Sequence, residues 1–177
     1  MNNIGYLSAN RTKESDCMYT PYYAVEPLIK YIPKNKIIWT PFDMEYSAFV
    51  QLLRANGNIV FSSHIDNGLD FFTHEPFMYD MIISNPPFSL KDKVLKRLYE
   101  LGKPFAMLIN FQGIFDHKDR FEMFKNNKVE MLWLSPRVNY IKPNENSASG
   151  VPFQSGYLCS GIFENGLNFE YLDKSLN

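Results

Sequence analysis

Two patterns alternate along this chain and limit what it can fold into. Short runs apolar on both faces alternate with longer segments whose apolar residues recur at helical spacing. The runs are Lys36 to Thr40, Asn58 to Ser62, Tyr79 to Ser84, Pro104 to Asn110 and Val129 to Ser135. They are short and dominated by aliphatic and aromatic residues, which reads as buried strands. Between them, Tyr22 to Tyr31, Ser47 to Asn56, Ser89 to Leu101 and Asp116 to Asn127 read as helices. Thr20 is the expected cap of the first helix, with Pro21 at its first position; Ser89 caps the third and Gly102 closes it. Residues 136–150 form a loop rich in Pro, Asn, Ser and Gly, and Gln154 to Phe163 gives a last strand or hairpin. Strands buried on both faces need cover on both faces. The expected fold class is therefore α/β, a mostly parallel sheet with helices on both faces.

In such a sheet, ligands bind beyond the carboxyl ends of the strands. The segments Pro41-Phe42-Asp43, His64 to Asp70 and Asn85 to Phe88 all follow strands. The topology gathers them along one edge.

The chain of 177 residues suits one domain, read as 19–177 behind a polar tail at 1–18. Its 18 Lys+Arg against 19 Asp+Glu, a net charge of -1, excludes a protein that wraps nucleic acid through a broad basic surface. Any nucleic-acid contact must be local or shared with a partner. Cys17 and Cys159 lack CxxC neighbours, and the 3 histidines are scattered, so no metal site is expected. The two cysteines read as free thiols of a reducing cytosol. No run approaches the ~20 apolar residues of a membrane span.

Asn85-Pro86-Pro87-Phe88 carries the chemistry. Consecutive prolines fix the backbone and remove two donors, which suits a loop that must present acceptors rigidly. An exocyclic amine on a base is a poor nucleophile because its lone pair is delocalised into the ring. The Asn85 side-chain oxygen and the Pro86 carbonyl can each hold one N–H, favouring a tetrahedral nitrogen with a directed lone pair. Phe88 can stack on the acceptor ring. A Pro-Pro turn that merely ends a strand is the plainer reading of an isolated copy; a strand before it and a helix after it favour the chemical one.

From Tyr19 to about Gly113 the chain resembles amino-methyltransferases of the N6-adenine type, and in particular short phage DNA adenine methyltransferase-like proteins. Tyr19-Thr20-Pro21, Trp39 to Asp43, Asp70-Phe71-Phe72 and Asn85 to Phe88 match four family motifs in order. The resemblance implies a Rossmann-like methyltransferase fold, S-adenosyl-L-methionine as cofactor, and a cytoplasmic protein (in the bacterial host, if phage-encoded). It implies a cofactor pocket lined by Tyr19, Thr20, Pro21, Pro41, Phe42, Asp43, Asp66, Asp70 and Phe71. For Asp43, a first-turn or capping acid of the following helix is an equal alternative. The family's first motif is usually a glycine-rich turn, whereas Pro41 to Ser47 contains no glycine.

Adenine in DNA is the expected acceptor. RNA adenine and a protein glutamine amide are alternatives, and so is an inactive scaffold that binds a host protein partner. No separate target-recognition domain is expected. Arg137, Tyr140 and Phe153, basic and aromatic residues flanking 136–150, are the candidate substrate contacts. An ordinary hairpin is the plainer reading of that segment. Lys91, Lys93, Lys96 and Arg97 follow the catalytic loop and suit either phosphate contact or a solvated helix face.

Overall fold

A computed structural model of the chain describes residues 19–141, 148–150 and 152–175. The expected 1–18 tail lies outside these residues, as does Cys17. In chain order the elements are α1 (Tyr22–Ile29), β1 (Ile37–Thr40), α2 (Ala48–Ala55), β2 (Ile59–Ser62), β3 (Met81–Ser84), α3 (Lys91–Leu101) and β4 (Phe105–Asn110). Then come α4 (Lys118–Lys125), β5 (Glu130–Ser135), β6 (Asn139–Ile141), β7 (Ala148–Gly150), β8 (Ser155–Ser160) and β9 (Leu167–Tyr171).

Seven strands form one sheet in the order β2-β1-β3-β4-β8-β5-β9. β2, β1, β3 and β4 are mutually parallel; β8 runs antiparallel between β4 and β5; β9 lies parallel to β5. This is the mostly parallel α/β sheet expected. The chain steps outward from β1 to β2, then crosses back to β3 on the other side of β1. That reversal places the carboxyl ends of β1 and β3 side by side at a switch point, where a crevice opens in sheets of this kind.

Side chains of the central strands alternate between two cores, as the period of two requires. Ile38, Ile83, Ala106 and Leu108 meet the buried faces of α1 and α2. Trp39, Ile82, Phe105, Met107 and Ile109 share the other core with Val94, Leu95 and Leu98 of α3. The expectation of burial on both faces is corrected for β2, where Ile59 and Phe61 are exposed, and on the far side of the sheet. Trp133 on β5 and Leu167, Phe169 and Tyr171 on β9 are exposed, while Glu170 on the opposite face takes Lys30 and the Tyr31 hydroxyl.

Three local expectations are corrected. Pro21, with an extended backbone, is the N-cap of α1, and Thr20 caps nothing: its hydroxyl is taken by Asn85. Ser89 does not cap α3, because a 3-10 turn at Phe88–Leu90 intervenes and Leu90 occupies the cap position. For the 136–150 segment the loop reading is corrected in favour of its plainer alternative, since it contains the antiparallel pair β6–β7. The final strand β9, with Leu167, Phe169 and Tyr171 on its exposed face, was not expected.

Candidate active site

The loop after β1 and the loop after β3 are tied together at the switch point. Ser84, the last residue of β3, is fully buried. Its hydroxyl accepts from the Phe42 backbone N–H at 3.3 Å and donates a short hydrogen bond to the Asp43 carboxylate. Asp43 is buried as well. The capping alternative for Asp43 is excluded, because the N-cap of α2 is Ser47, whose hydroxyl accepts from Val50 N–H.

Burial pushes the Asp43 carboxyl up from 3.8 to about 6, against the opposing effect of hydrogen bonds from Ser84 and Ser47. Among the described residues no Lys, Arg or His forms an ion pair with it. A buried carboxylate supported only by hydroxyls is an arrangement that a positively charged ligand group would complete.

Asn85 follows. Its side-chain N–H donates to Thr20 Oγ1 at 3.1 Å, which sets the orientation of the amide. The other end of that amide, Asn85 Oδ1, is buried and has no hydrogen-bond partner among the described residues. A buried acceptor left unpaired costs about 1–3 kcal/mol, so such atoms call for an explanation. Pro86 is buried and Pro87 half-buried, and the chain turns at once into Phe88. The Phe88 ring packs edge-on against Tyr140 at 5.8 Å and Phe153 at 5.3 Å.

Thr20 is itself held in place. Tyr19 pairs with Ile141 on β6 through two backbone hydrogen bonds of 2.8 and 3.1 Å. The Tyr23 hydroxyl donates to Asn139 O and accepts from Asn139 N–H. The 19–21 segment thus links strand β6 to the Asn85–Phe88 loop.

The remaining candidates divide by position. Pro41 is buried beside Phe42 at the end of β1. Asp66 sits exposed in the 3-10 turn Ile65–Asn67, and Asn67 of that turn reaches Met44 in the loop after β1. Asp66 N–H donates to His64 Nδ1, and that nitrogen cannot also carry a proton toward the Asp66 carboxylate 3.5 Å away. Burial holds the His64 imidazole below its ordinary value, which agrees with a neutral ring. Asp70 closes a turn by accepting from Phe72 N–H at 2.9 Å. Phe71 is buried against Phe42 at 4.9 Å and Trp39 at 5.3 Å, so it backs the loop after β1.

Tyr140 is fully buried. It supports Phe88 from behind, which corrects its expected place among the substrate contacts. Phe153 is half-buried in the same cluster and Arg137 is exposed beyond β5. Ser84 was missed by the sequence analysis. Its one signal was a small hydroxyl residue directly before Asn85, at the end of an otherwise apolar strand.

Among solved structures the chain is similar to a modification subunit assigned to a type I restriction enzyme from Vibrio vulnificus YJ016. That similarity has a TM-score of 0.53 and 12% identity, and it covers 94% of this chain and 49% of that one. The chain shares its fold with that subunit. A type I restriction-modification system methyltransferase subunit from Streptococcus thermophilus aligns at a TM-score of 0.48 and 11% identity, over 94% of this chain and 50% of that one. The chain therefore spans about half the length of these proteins. No family model and no curated protein matches it by sequence.

Proposed function

We propose that this chain is an S-adenosylmethionine-dependent methyltransferase acting on an exocyclic amino nitrogen, with N6 of adenine in DNA as the acceptor. The observation that carries the reading is the orphaned acceptor Asn85 Oδ1 at the switch point of the sheet. An amino group of the acceptor satisfies it, with the Pro86 carbonyl as its neighbour for the second N–H. Holding both N–H groups turns the nitrogen lone pair out of conjugation and aims it. Phe88, backed by Tyr140 and Phe153, offers a ring against which an extruded base can stack.

The donor set fits the cofactor. S-adenosylmethionine would supply an activated methyl group on a positively charged sulfur to the nitrogen that Asn85 and Pro86 orient, and the proton displaced from that nitrogen would pass to solvent. Asp43, buried with only hydroxyl partners, would supply negative charge to a cationic part of the cofactor. Pro41, Phe42 and the backing ring of Phe71 would wall the pocket, and Asp66 would take the ribose hydroxyls. Tyr19 and Pro21 hold Thr20 in place against Asn85.

The test is calorimetric titration of S-adenosylmethionine into the purified chain, followed by transfer of a labelled methyl group to adenine-containing DNA. Micromolar binding with label in DNA is the expected result. Label entering RNA or a glutamine peptide instead would change the acceptor. No binding at millimolar cofactor would overturn the enzyme reading in favour of a scaffold that occupies a protein partner.

A further inference from the structure

The four cations that follow the catalytic loop are not equivalent. Lys96 lies 4.0 Å from Glu100 one turn along the helix. Arg97 lies over the Phe71 ring and donates to His74 O. Lys93 is exposed. Lys91 alone turns back toward the end of the sheet, where its ammonium donates to Asn110 O at 3.3 Å at the carboxyl end of β4.

A second cation stands beside it. Arg120 of α4 is buried; its Nη1 is 2.9 Å from Asp92 Oδ1 and its Nη2 donates to Gly113 O at 3.1 Å. Burial first, and the Arg120 charge second, hold the Lys91 ammonium below its ordinary value. Asp92 is taken by Arg120, so half-buried Lys91 is left with no ion pair among the described residues. A partly buried cation without an ion pair is an arrangement that an anion would complete. The Lys91 ammonium has three donor hydrogens, and one is used among the described residues. The first turn of α3 begins at the same place, and Leu90 gives it no side-chain cap.

We infer that Lys91, with Arg120 beside it, binds a backbone phosphate of a nucleic-acid acceptor whose target base is held by Asn85 to Phe88. This rests on the proposed function and fixes its substrate class as nucleic acid. Three considerations support it. Lys91 is three residues beyond Phe88 in the chain. Asn110, its contact, ends the strand next to β3. With a net charge of -1 the protein has no broad basic surface, so a nucleic-acid contact would be carried by local cations such as Lys91.

The test is fluorescence anisotropy of a labelled single-stranded adenine-containing oligonucleotide, titrated with the full chain across a salt series. Lys91→Gln should weaken binding several-fold and lower the slope of log affinity against log salt by about 0.7, the value for one phosphate on a single strand. Lys91→Met, which keeps the aliphatic stem, is the second charge-removing variant and should match it. Lys91→Arg should retain affinity and slope, and Lys96→Gln should change neither. Wild-type affinity and slope in both charge-removing variants would overturn the inference, as would a wild-type chain that binds no oligonucleotide. Cofactor titration of the same samples separates the two proposals. Cofactor binding without DNA binding sinks the phosphate site alone. DNA binding that depends on Lys91 without cofactor binding sinks the methyltransferase reading and leaves the phosphate site standing.

Discussion

Asp43→Asn should make the protein more stable and a poorer cofactor binder at once. In the folded protein the Asp43 carboxyl titrates at about 6 rather than 3.8, a rise of about two units caused by burial. Each unit corresponds to about 1.4 kcal/mol, so the ionised carboxylate costs the fold roughly 3 kcal/mol above pH 6. The sign follows from proton counts. Between about pH 4 and pH 6 the folded state holds the proton and the unfolded state has released it, so stability falls as pH rises through that window. Asparagine removes the charge, but its NH2 group meets hydroxyls arranged to donate, so about half the cost is recovered. For a chain of this size 1–2 kcal/mol is about 3–6 °C in Tm. Thermal unfolding by circular dichroism near pH 8 should show that gain, and the gain should vanish near pH 4, where Asp43 is protonated. Loss of a charged contact should weaken S-adenosylmethionine binding by about 10- to 100-fold. A variant that melts below wild type near pH 8, or whose Tm difference is the same at both pH values, would refute the account of Asp43 as a buried, uncompensated charge.

Thr20→Val removes the acceptor that orients the Asn85 amide, so kcat should fall about 3- to 10-fold with little change in cofactor affinity, while Thr20→Ser retains activity. Glu130, fully buried, accepts from the N–H groups of Gly161, Ile162 and Phe163 and pairs with Lys128. Burial pushes its carboxyl up, but these partners outweigh burial and hold it below 4.5. Its stabilisation is therefore present above about pH 4.5 and lost as pH falls through the folded value. Glu130→Ala should cost about 3–5 kcal/mol in urea unfolding near neutral pH, and progressively less in acid. Gly156→Ala would place a Cβ 2.5 Å from the Phe111 ring and 2.6 Å from Leu132 O in the middle of the sheet. It should destabilise by about 1–3 kcal/mol, read from the same unfolding curves.

The central strands β1, β3 and β4 were legible because they are buried on both faces, as runs such as Ile37-Ile38-Trp39 and Met81-Ile82-Ile83 require. The Asn85-Pro86-Pro87-Phe88 loop stood out because two prolines fall between a strand and a helix. Helix starts were not: Thr20 and Ser89 have the chemistry of caps, but a cap is chosen by backbone geometry, and Asn85 competes for the Thr20 hydroxyl. Asp43 could not be assigned from sequence because first-turn acids and buried carboxylates look alike in one dimension. Ser84 and Arg120 were invisible because their roles depend on partners 41 and 28 residues away, Asp43 and Asp92. β9 was overlooked although Leu167-Asn168-Phe169-Glu170-Tyr171 alternates apolar and polar residues; only the structure shows that its apolar face is the exposed one.

The glycine-free loop after β1 can now be weighed. Glycine in such a turn either supplies a left-handed backbone or makes room for a ligand against the main chain. Asn35 is the one non-glycine residue with positive φ among the described residues, so Pro41 to Ser47 have no need of the first service. In place of an open backbone the loop buries a carboxylate, Asp43, beneath Ser84 and Ser47. Recognition by charge differs measurably from recognition by backbone N–H groups, because charge titrates. If Asp43 holds a cationic part of the cofactor, affinity is full when the carboxylate is ionised and falls as pH drops below about 6. Calorimetry at pH 7 and pH 5 should give about tenfold weaker binding at the lower pH, with a proton released on binding there. Asp43→Asn should flatten that profile. A flat profile in the wild-type protein would mean that the cofactor meets the loop through its main chain and that the buried charge serves some other end.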